Sequence, residues 1–87
     1  MIRITREADY GIVLMTALAQ AEGQPRSAAL LAQQRRLPLP MVSKILKALA
    51  RAGLLVSQRG AQGGYQLARP ATEISAADII GALEGPI

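Results

Sequence analysis

Apolar residues recur at helical spacing along most of this 87-residue chain, and the breaks between them are marked by proline, glycine and serine. Over residues 5–21 the spacing predicts a first helix with Thr5 as its N-cap. Its apolar positions are Ala8, Ile12, Met15 and Leu18 or Ala19. After a polar break, Ser27 is placed to cap a second, short helix over 27–35, with Leu30 and Leu31 as its buried contacts.

Two prolines mark the next boundary. Pro38 disfavours helical geometry at Leu37, whereas Pro40 fits the first position of a helix, where its missing N–H costs nothing. A third helix is therefore predicted over 40–52. Gly53 follows it and is expected to adopt the left-handed conformation that ends many helices.

A hairpin and a last helix complete the chain. Two strand-length segments, together spanning about 54–68, are joined by the glycine-rich loop RGAQGG, which is longer than a two-residue turn. The last helix, about 75–84, has Ser75 as N-cap and Asp78 three residues later, which predicts a capping box. A hydrophobic staple between Ile74 and Ile79 is expected at the same end, and a stop at Gly85 and Pro86 at the other.

The third helix has two chemically different faces when its residues are plotted at 100° each. The apolar face predicted to enter the core consists of Val42, Ile45, Leu46 and Leu49. The opposite arc carries Pro40, Ser43, Lys44, Lys47 and Arg51. A short helix, a turn of about four residues and a second helix with a cationic outer face make a helix-turn-helix, and the following hairpin adds a wing. The predicted fold is mainly α with a small β-hairpin, a single winged helix-turn-helix domain over 1–87.

Charge and composition agree with a nucleic-acid partner and exclude several chemistries. The formal net charge is +4, and no acidic residue occurs between residues 26 and 72. Cysteine and histidine are both absent, which excludes disulfides, thiolate-bound metal and histidine-dependent nucleophilic catalysis within this chain. We therefore expect no enzyme activity. No apolar run is long enough to cross a bilayer, and we expect a cytoplasmic protein without a membrane partner.

Other interpretations of these features stay open. Lysine and arginine on an exposed helix are often only a solvated surface, and the loop glycines can serve turn geometry alone. The same surface could dock an acidic protein, which makes a winged-helix protein-interaction module the alternative function. Tyr10 is expected to be a half-buried residue of the first helix, or a residue whose hydroxyl reaches a DNA phosphate. A helix start explains LPLP (37–40) better than a polyproline ligand does, and RGAQGG lacks the ending of a nucleotide-binding loop.

Four stretches together resemble one family over essentially the whole chain. They are IRITREADYGIVLMTALA, LPLPMVSKILKALARAGLL, SQRGAQGGYQLARP and EISAADIIGALEGPI. The chain resembles the IscR-like winged-helix regulators of iron-sulfur cluster assembly, and within them the proteobacterial Suf-system regulators. The wing motif from Arg59 to Tyr65 and the closing ADIIGALEGPI carry the resemblance most specifically.

The resemblance implies a homodimeric repressor or activator that reads a palindromic operator in double-stranded DNA. Pro40, Met41, Ser43 and Lys44 would then face base edges. Lys47 and Arg51 would lie nearer the DNA backbone, and Arg59 and Gly60 would be the wing contacts. IscR-like proteins can carry a glutamate at the position of Ser43 that discriminates between site types, so the resemblance does not fix which site is preferred here.

The resemblance also implies a segment beyond these residues. In the family, three cysteines that ligate an iron-sulfur cluster, and then a long helix of the dimer interface, follow this part of the chain. The 87 residues contain neither, so we expect them to be the DNA-reading part of a longer protein, with no cofactor of their own. The apolar Ile79, Ile80 and Leu83 of the last helix would serve the core, the start of that interface, or both.

Overall fold

The computed structural model describes residues 5–60 and 63–85. It contains four helices, α1 (Arg6–Gln20), α2 (Ala28–Arg35), α3 (Leu39–Arg51) and α4 (Ala76–Glu84). Strands β1 (Leu55–Gln58) and β2 (Gly64–Leu67) form an antiparallel hairpin, and a short 3-10 turn at Ala71–Glu73 precedes α4. The winged helix-turn-helix predicted from the sequence is confirmed. Of the predicted segments, the loop positions 61–62 and the stop at Pro86 lie outside the described residues.

The first two helices begin at the predicted caps. The Thr5 hydroxyl accepts a hydrogen bond from the Ala8 amide at 3.1 Å, and the Ser27 hydroxyl accepts one from the Leu30 amide at 3.0 Å. These bonds satisfy amide groups that have no partner inside their helices. In α2 only Leu31 of the two expected contacts is fully buried; Leu30 is half-buried and does not belong to the core cluster.

The boundary between α2 and α3 differs from the prediction in detail. Pro38 is the extended N-cap of α3 and Leu39 its first residue, which puts Pro40 at the second helical position instead of the first. The shift costs nothing, since amides in the first turn have no partner within the helix anyway. The turn is three residues long, and Arg36 enters it in the left-handed conformation at φ 56°. Beyond α3, Gly53 has φ 85°, as predicted.

The core lies between α1 and α3 and is completed by residues from every other element except the 3-10 turn. The four residues predicted for the inner face of α3, Val42, Ile45, Leu46 and Leu49, are at most 1% exposed. From α1 the core takes residues including Leu14, Met15 and Leu18. Ile12, predicted to be apolar and inward, is half-buried and packs at its margin. The outer arc of α3 is thereby fixed toward solvent.

Helix α4 is docked across α1 and α3. Its capping box is complete: the Ser75 amide donates to Asp78 Oδ2 and the Asp78 amide donates to Ser75 Oγ, both at 3.0 Å. The bond from the Ser75 backbone, more than that with its side chain, holds the pKa of the Asp78 carboxyl below its usual range. Ile74 and Ile79, the predicted staple, line one small apolar groove.

A candidate nucleic-acid interface

The cationic arc of α3 is exposed along its length. Pro40, Lys44, Lys47 and Arg51 are all exposed, so each side chain is accessible from outside the molecule. Ser43 and Met41 are half-buried, and Met41 also packs against the core cluster. The helix therefore presents its charges outward along one side while Met41 and Ser43 line the edge of that surface. This is the arrangement that a helix needs to enter the major groove.

The wing is attached to the rest of the fold by backbone hydrogen bonds. The Arg26 amide donates to the Tyr65 carbonyl at 2.9 Å, and the Tyr65 amide donates to the Arg26 carbonyl at 2.8 Å. Arg26 thus forms an isolated bridge beside β2 and continues the sheet by one residue. Because Arg26 directly precedes the Ser27 cap of α2, the bridge ties the wing to the start of the helix-turn-helix.

Two glycines allow backbone segments in and beside the wing to approach each other closely. A side chain at Gly64 would overlap the backbone of Arg26 and Ser27, and Gly64 has φ 151°, a conformation that side chains rarely allow. A side chain at Gly63 would overlap the backbone at Gln58, across the hairpin. These positions serve the packing of the wing itself, in addition to any contact with DNA.

The tip of the wing is exposed. Arg59 follows β1 directly, and Gly60 after it has φ 111° with open space around it. The guanidinium of Arg59 is therefore on a segment that no described part of the fold covers. A narrow minor groove, where the electrostatic potential is most negative, is the part of a duplex that such an arginine fits.

Tyr10 lies on α1, half-buried and packed against the core cluster. Its placement in α1 as a half-buried residue agrees with the sequence prediction. A contact of its hydroxyl with a DNA phosphate stays a prediction.

Three features of this surface were not predicted. Lys44 Nζ lies 3.5 Å from Oε1 of Glu7 on α1, the Arg26 bridge joins the wing to α2, and Arg36 is left-handed. The first two are contacts between distant segments, and no local pattern signals them. Arg36 occupies a position where glycine or asparagine would have been the usual signal.

Within residues 5–60 and 63–85, no three carboxylate side chains are grouped so that they could hold a metal ion. In the same part of the chain, none of the helices is long and apolar enough to cross a membrane.

Helices α2 and α3 form a helix-turn-helix, and the β1–β2 hairpin is anchored beside the start of α2 as a wing. The protein is therefore of the winged helix-turn-helix class. The model of the Rrf2 family, described as iron-dependent transcriptional regulators, matches residues 4–87, and the chain belongs to this family. Its relatives are regulators of transcription, not enzymes. The resemblance to this family predicted from the sequence is thereby confirmed, while the Suf-type assignment within it stays a prediction.

The individual proteins that this chain resembles are transcriptional regulators that carry different names, among them CymR and IscR. It is 39% identical over 87 residues to the transcriptional regulator CymR of Bacillus subtilis, covering 99% of this chain and 63% of CymR. It is 35% identical over 86 residues to IscR of Cereibacter sphaeroides, covering 95% of this chain and 56% of IscR. The structure of B. subtilis CymR, described as the global cysteine regulator, superposes with a TM-score of 0.90 at 40% identity, over 100% of this chain and 68% of CymR. The chain therefore spans somewhat over half to two thirds of the length of these relatives.

Proposed function

We propose that this chain is the part of a transcriptional regulator that reads duplex DNA, with α3 in the major groove and the wing in the adjacent minor groove. The observation that carries the proposal is the division of α3 into a buried apolar face and an exposed cationic face, on a frame that also exposes Arg59. No acidic residue lies between residues 26 and 72, so the segment holding α3 and the wing has no internal charge compensation.

The residues of this surface take two kinds of role. Lys47, Arg51 and Arg59 supply contacts to phosphate or the minor groove, and Lys44 binds phosphate wherever no matching base edge lies within its reach; these contacts give affinity and its dependence on salt. Pro40, Met41, Ser43 and Lys44, in the first half of α3, reach base edges and give discrimination. Gly60 lets the wing backbone approach the groove wall, and the Tyr10 hydroxyl contacts a phosphate. Half-buried Ile80 on α4, together with the exposed part of Leu83, which also packs against the core, is available to a homodimer that reads a palindromic operator.

The genes we assign to it are those of iron-sulfur cluster assembly, of the Suf type, which it would repress from the cytoplasm. The likeness to IscR and the closing motif ADIIGALEGPI support this choice. A second candidate, control of cysteine metabolism, is favoured by the identity to CymR, whose structure is described as that of a cysteine regulator. The 87 residues supply no thiolate ligand, so we propose no cofactor on this chain itself.

Binding to labelled duplexes tests the proposal. Fluorescence anisotropy across a salt series would compare a palindromic duplex from upstream of a cluster-assembly operon, one from upstream of a cysteine-metabolism operon, and a scrambled duplex. A preference of about 10³ or more over the scrambled duplex at physiological salt is expected for the true operator. A covalently linked dimer of the chain supplies the second subunit if dimerisation needs more than these residues.

The results separate the candidate functions. Preference for the cysteine-metabolism duplex would move the assignment to the second set of genes. Weak and equal binding to all three duplexes by the linked dimer would overturn DNA reading and favour the alternative, a module that docks an acidic protein through the same cations.

A further inference from the structure

Lys44 on the recognition helix already has an anionic partner within the fold. Its Nζ lies 3.5 Å from Oε1 of Glu7, and this is the one lysine or arginine to carboxylate pair within 4.0 Å in residues 5–60 and 63–85. Glu7 is in the first turn of α1, where the Thr5 cap fixes the backbone, and α1 packs directly against α3. The position of the carboxylate beside α3 is therefore set by the core.

The pair contributes little to folding. The side chains of Lys44 and Glu7 are 72% and 47% exposed, and ion pairs in such surroundings add little to the stability of a fold. Its effect on a ligand that needs Lys44 is of a different kind. The Lys44 ammonium can bind a DNA phosphate or base edge fully only after its ion pair with the Glu7 carboxylate has broken. The negatively charged carboxylate then remains close to the DNA.

We propose that Glu7 is a specificity-determining residue that competes with DNA for Lys44. The inference rests on the proposed function and names a residue outside the cationic surface that sets how strongly that surface binds. Non-specific binding consists almost entirely of phosphate neutralisation, so a competing carboxylate weakens it directly. At the correct operator, hydrogen bonds to base edges offset the affinity that is lost through this competition. Glu7 thus widens the ratio between specific and non-specific affinity, as a repulsive element does in other selective interfaces.

Four variants test the competition. Glu7→Gln removes the charge and keeps the size of the side chain, and Asp9→Asn is its matched control, an exposed carboxylate two residues along α1 that makes no ion pair with a described residue. Lys44→Gln and the double variant Glu7→Gln/Lys44→Gln complete a double-mutant cycle. Binding to the scrambled duplex and to the preferred duplex would be measured across a salt series.

For Glu7→Gln we expect about 2- to 5-fold tighter binding to the scrambled duplex at low salt, the size of an exposed ion pair. The salt slope should steepen by up to about 0.9, as for one additional phosphate contact. The preferred duplex should gain less. In the Lys44→Gln background the gain from Glu7→Gln should shrink to that of Asp9→Asn, which measures the general effect of removing one negative charge.

Other outcomes would overturn the inference in distinguishable ways. If the wild-type chain and its linked dimer bind neither duplex, the proposed function fails and the inference fails with it. If the wild type binds and Glu7→Gln behaves like Asp9→Asn, DNA reading stands and only the competition is wrong. A gain that persists in full without Lys44 would mean that Glu7 acts on DNA directly, and not through the lysine.

Discussion

The helical body and the wing are held in place by different kinds of contact. In the body, α1, α2 and α3 are fixed by fully buried side chains such as Leu14, Leu31 and Leu46. In the wing, β1 buries only Leu55, all of β2 is half-buried, and the hairpin is attached through backbone bonds to Arg26. The body is thus specified mainly by side-chain volume, whereas the wing, beyond the core contacts of Leu55, Tyr65 and Leu67, also depends on positions where a side chain must be absent. Substitutions should damage the two regions by different mechanisms.

The largest effect is expected from a cavity in the body. Leu46→Ala removes a side chain with 0% exposure from the middle of α3 and should lower the free energy of unfolding by about 2–5 kcal/mol. Urea denaturation measures the loss, and Leu46→Met, which keeps the volume, should cost less than about 1.5 kcal/mol. A loss from Leu46→Ala below about 1 kcal/mol would contradict the description of the body as a tightly packed core.

A side chain at the base of the wing should come second. Gly64→Ala combines a strained φ with overlap on the Arg26 backbone, and such strain costs about 1–3 kcal/mol. The matched control is Gly53→Ala, which shares a positive φ but has open space around it. We expect the larger loss for Gly64→Ala, together with faster hydrogen exchange at the Arg26 and Tyr65 amides. Equal losses, with unchanged exchange, would mean that conformation alone matters and that the wing is not held through Arg26.

At the tip of the wing, a substitution should leave the fold intact and change only binding. Arg59→Ala is a surface change expected to alter the free energy of unfolding by less than about 0.5 kcal/mol. It should weaken DNA binding and reduce the salt slope by about 0.9. The control is Arg69→Ala, another exposed arginine, placed after β2 and outside the proposed surface. An unchanged salt slope for Arg59→Ala would show that the wing does not bind in the minor groove.

The smallest effect concerns α4, whose first turn is stabilised by its capping box. Because the folded state lowers the pKa of Asp78, the box stabilises the fold above the usual carboxyl range, and this stability is lost as the pH falls through the folded pKa. The thermal midpoint should therefore decline at acid pH. In Asp78→Asn the midpoint should start slightly lower and decline less steeply; identical pH profiles for the two proteins would show that the box does not contribute.

Prediction from sequence succeeded where the structure is determined locally. Helical spacing, the caps Thr5, Ser27 and Ser75, and the two faces of α3 all follow from residues near one another, and the structure reproduces them. The two strand segments on either side of RGAQGG, 54–58 and 65–68, agree with β1 and β2 to within one residue at each end. Of the candidate site, the sequence located the exposed cations on α3 and in the wing, while their contacts with DNA stay predictions.

The features that escaped prediction depend on distant segments or on a neighbour's position. The need for glycine at position 64 is visible only once Arg26 is known to lie against it, since turn geometry alone explains Gly60 as well as Gly64. The partner of Lys44 is similarly invisible, because Glu7 in a first helical turn is already accounted for by the helix dipole. Arg36 shows a different limit of sequence-based prediction. It adopts the left-handed backbone conformation, which is usually found at glycine or asparagine.

The bridge between Arg26 and Tyr65 also constrains the order of folding. It joins segments far apart in the chain, so the entropic cost of closing the intervening loop is met most easily after α2 and α3 have packed. We expect wing substitutions to accelerate unfolding while leaving the folding rate nearly unchanged. During synthesis, a chain that has emerged only as far as α3 holds the whole helix-turn-helix but no strand for Arg26 to pair with. The complete surface proposed to read DNA is then formed only after β2 has left the ribosome.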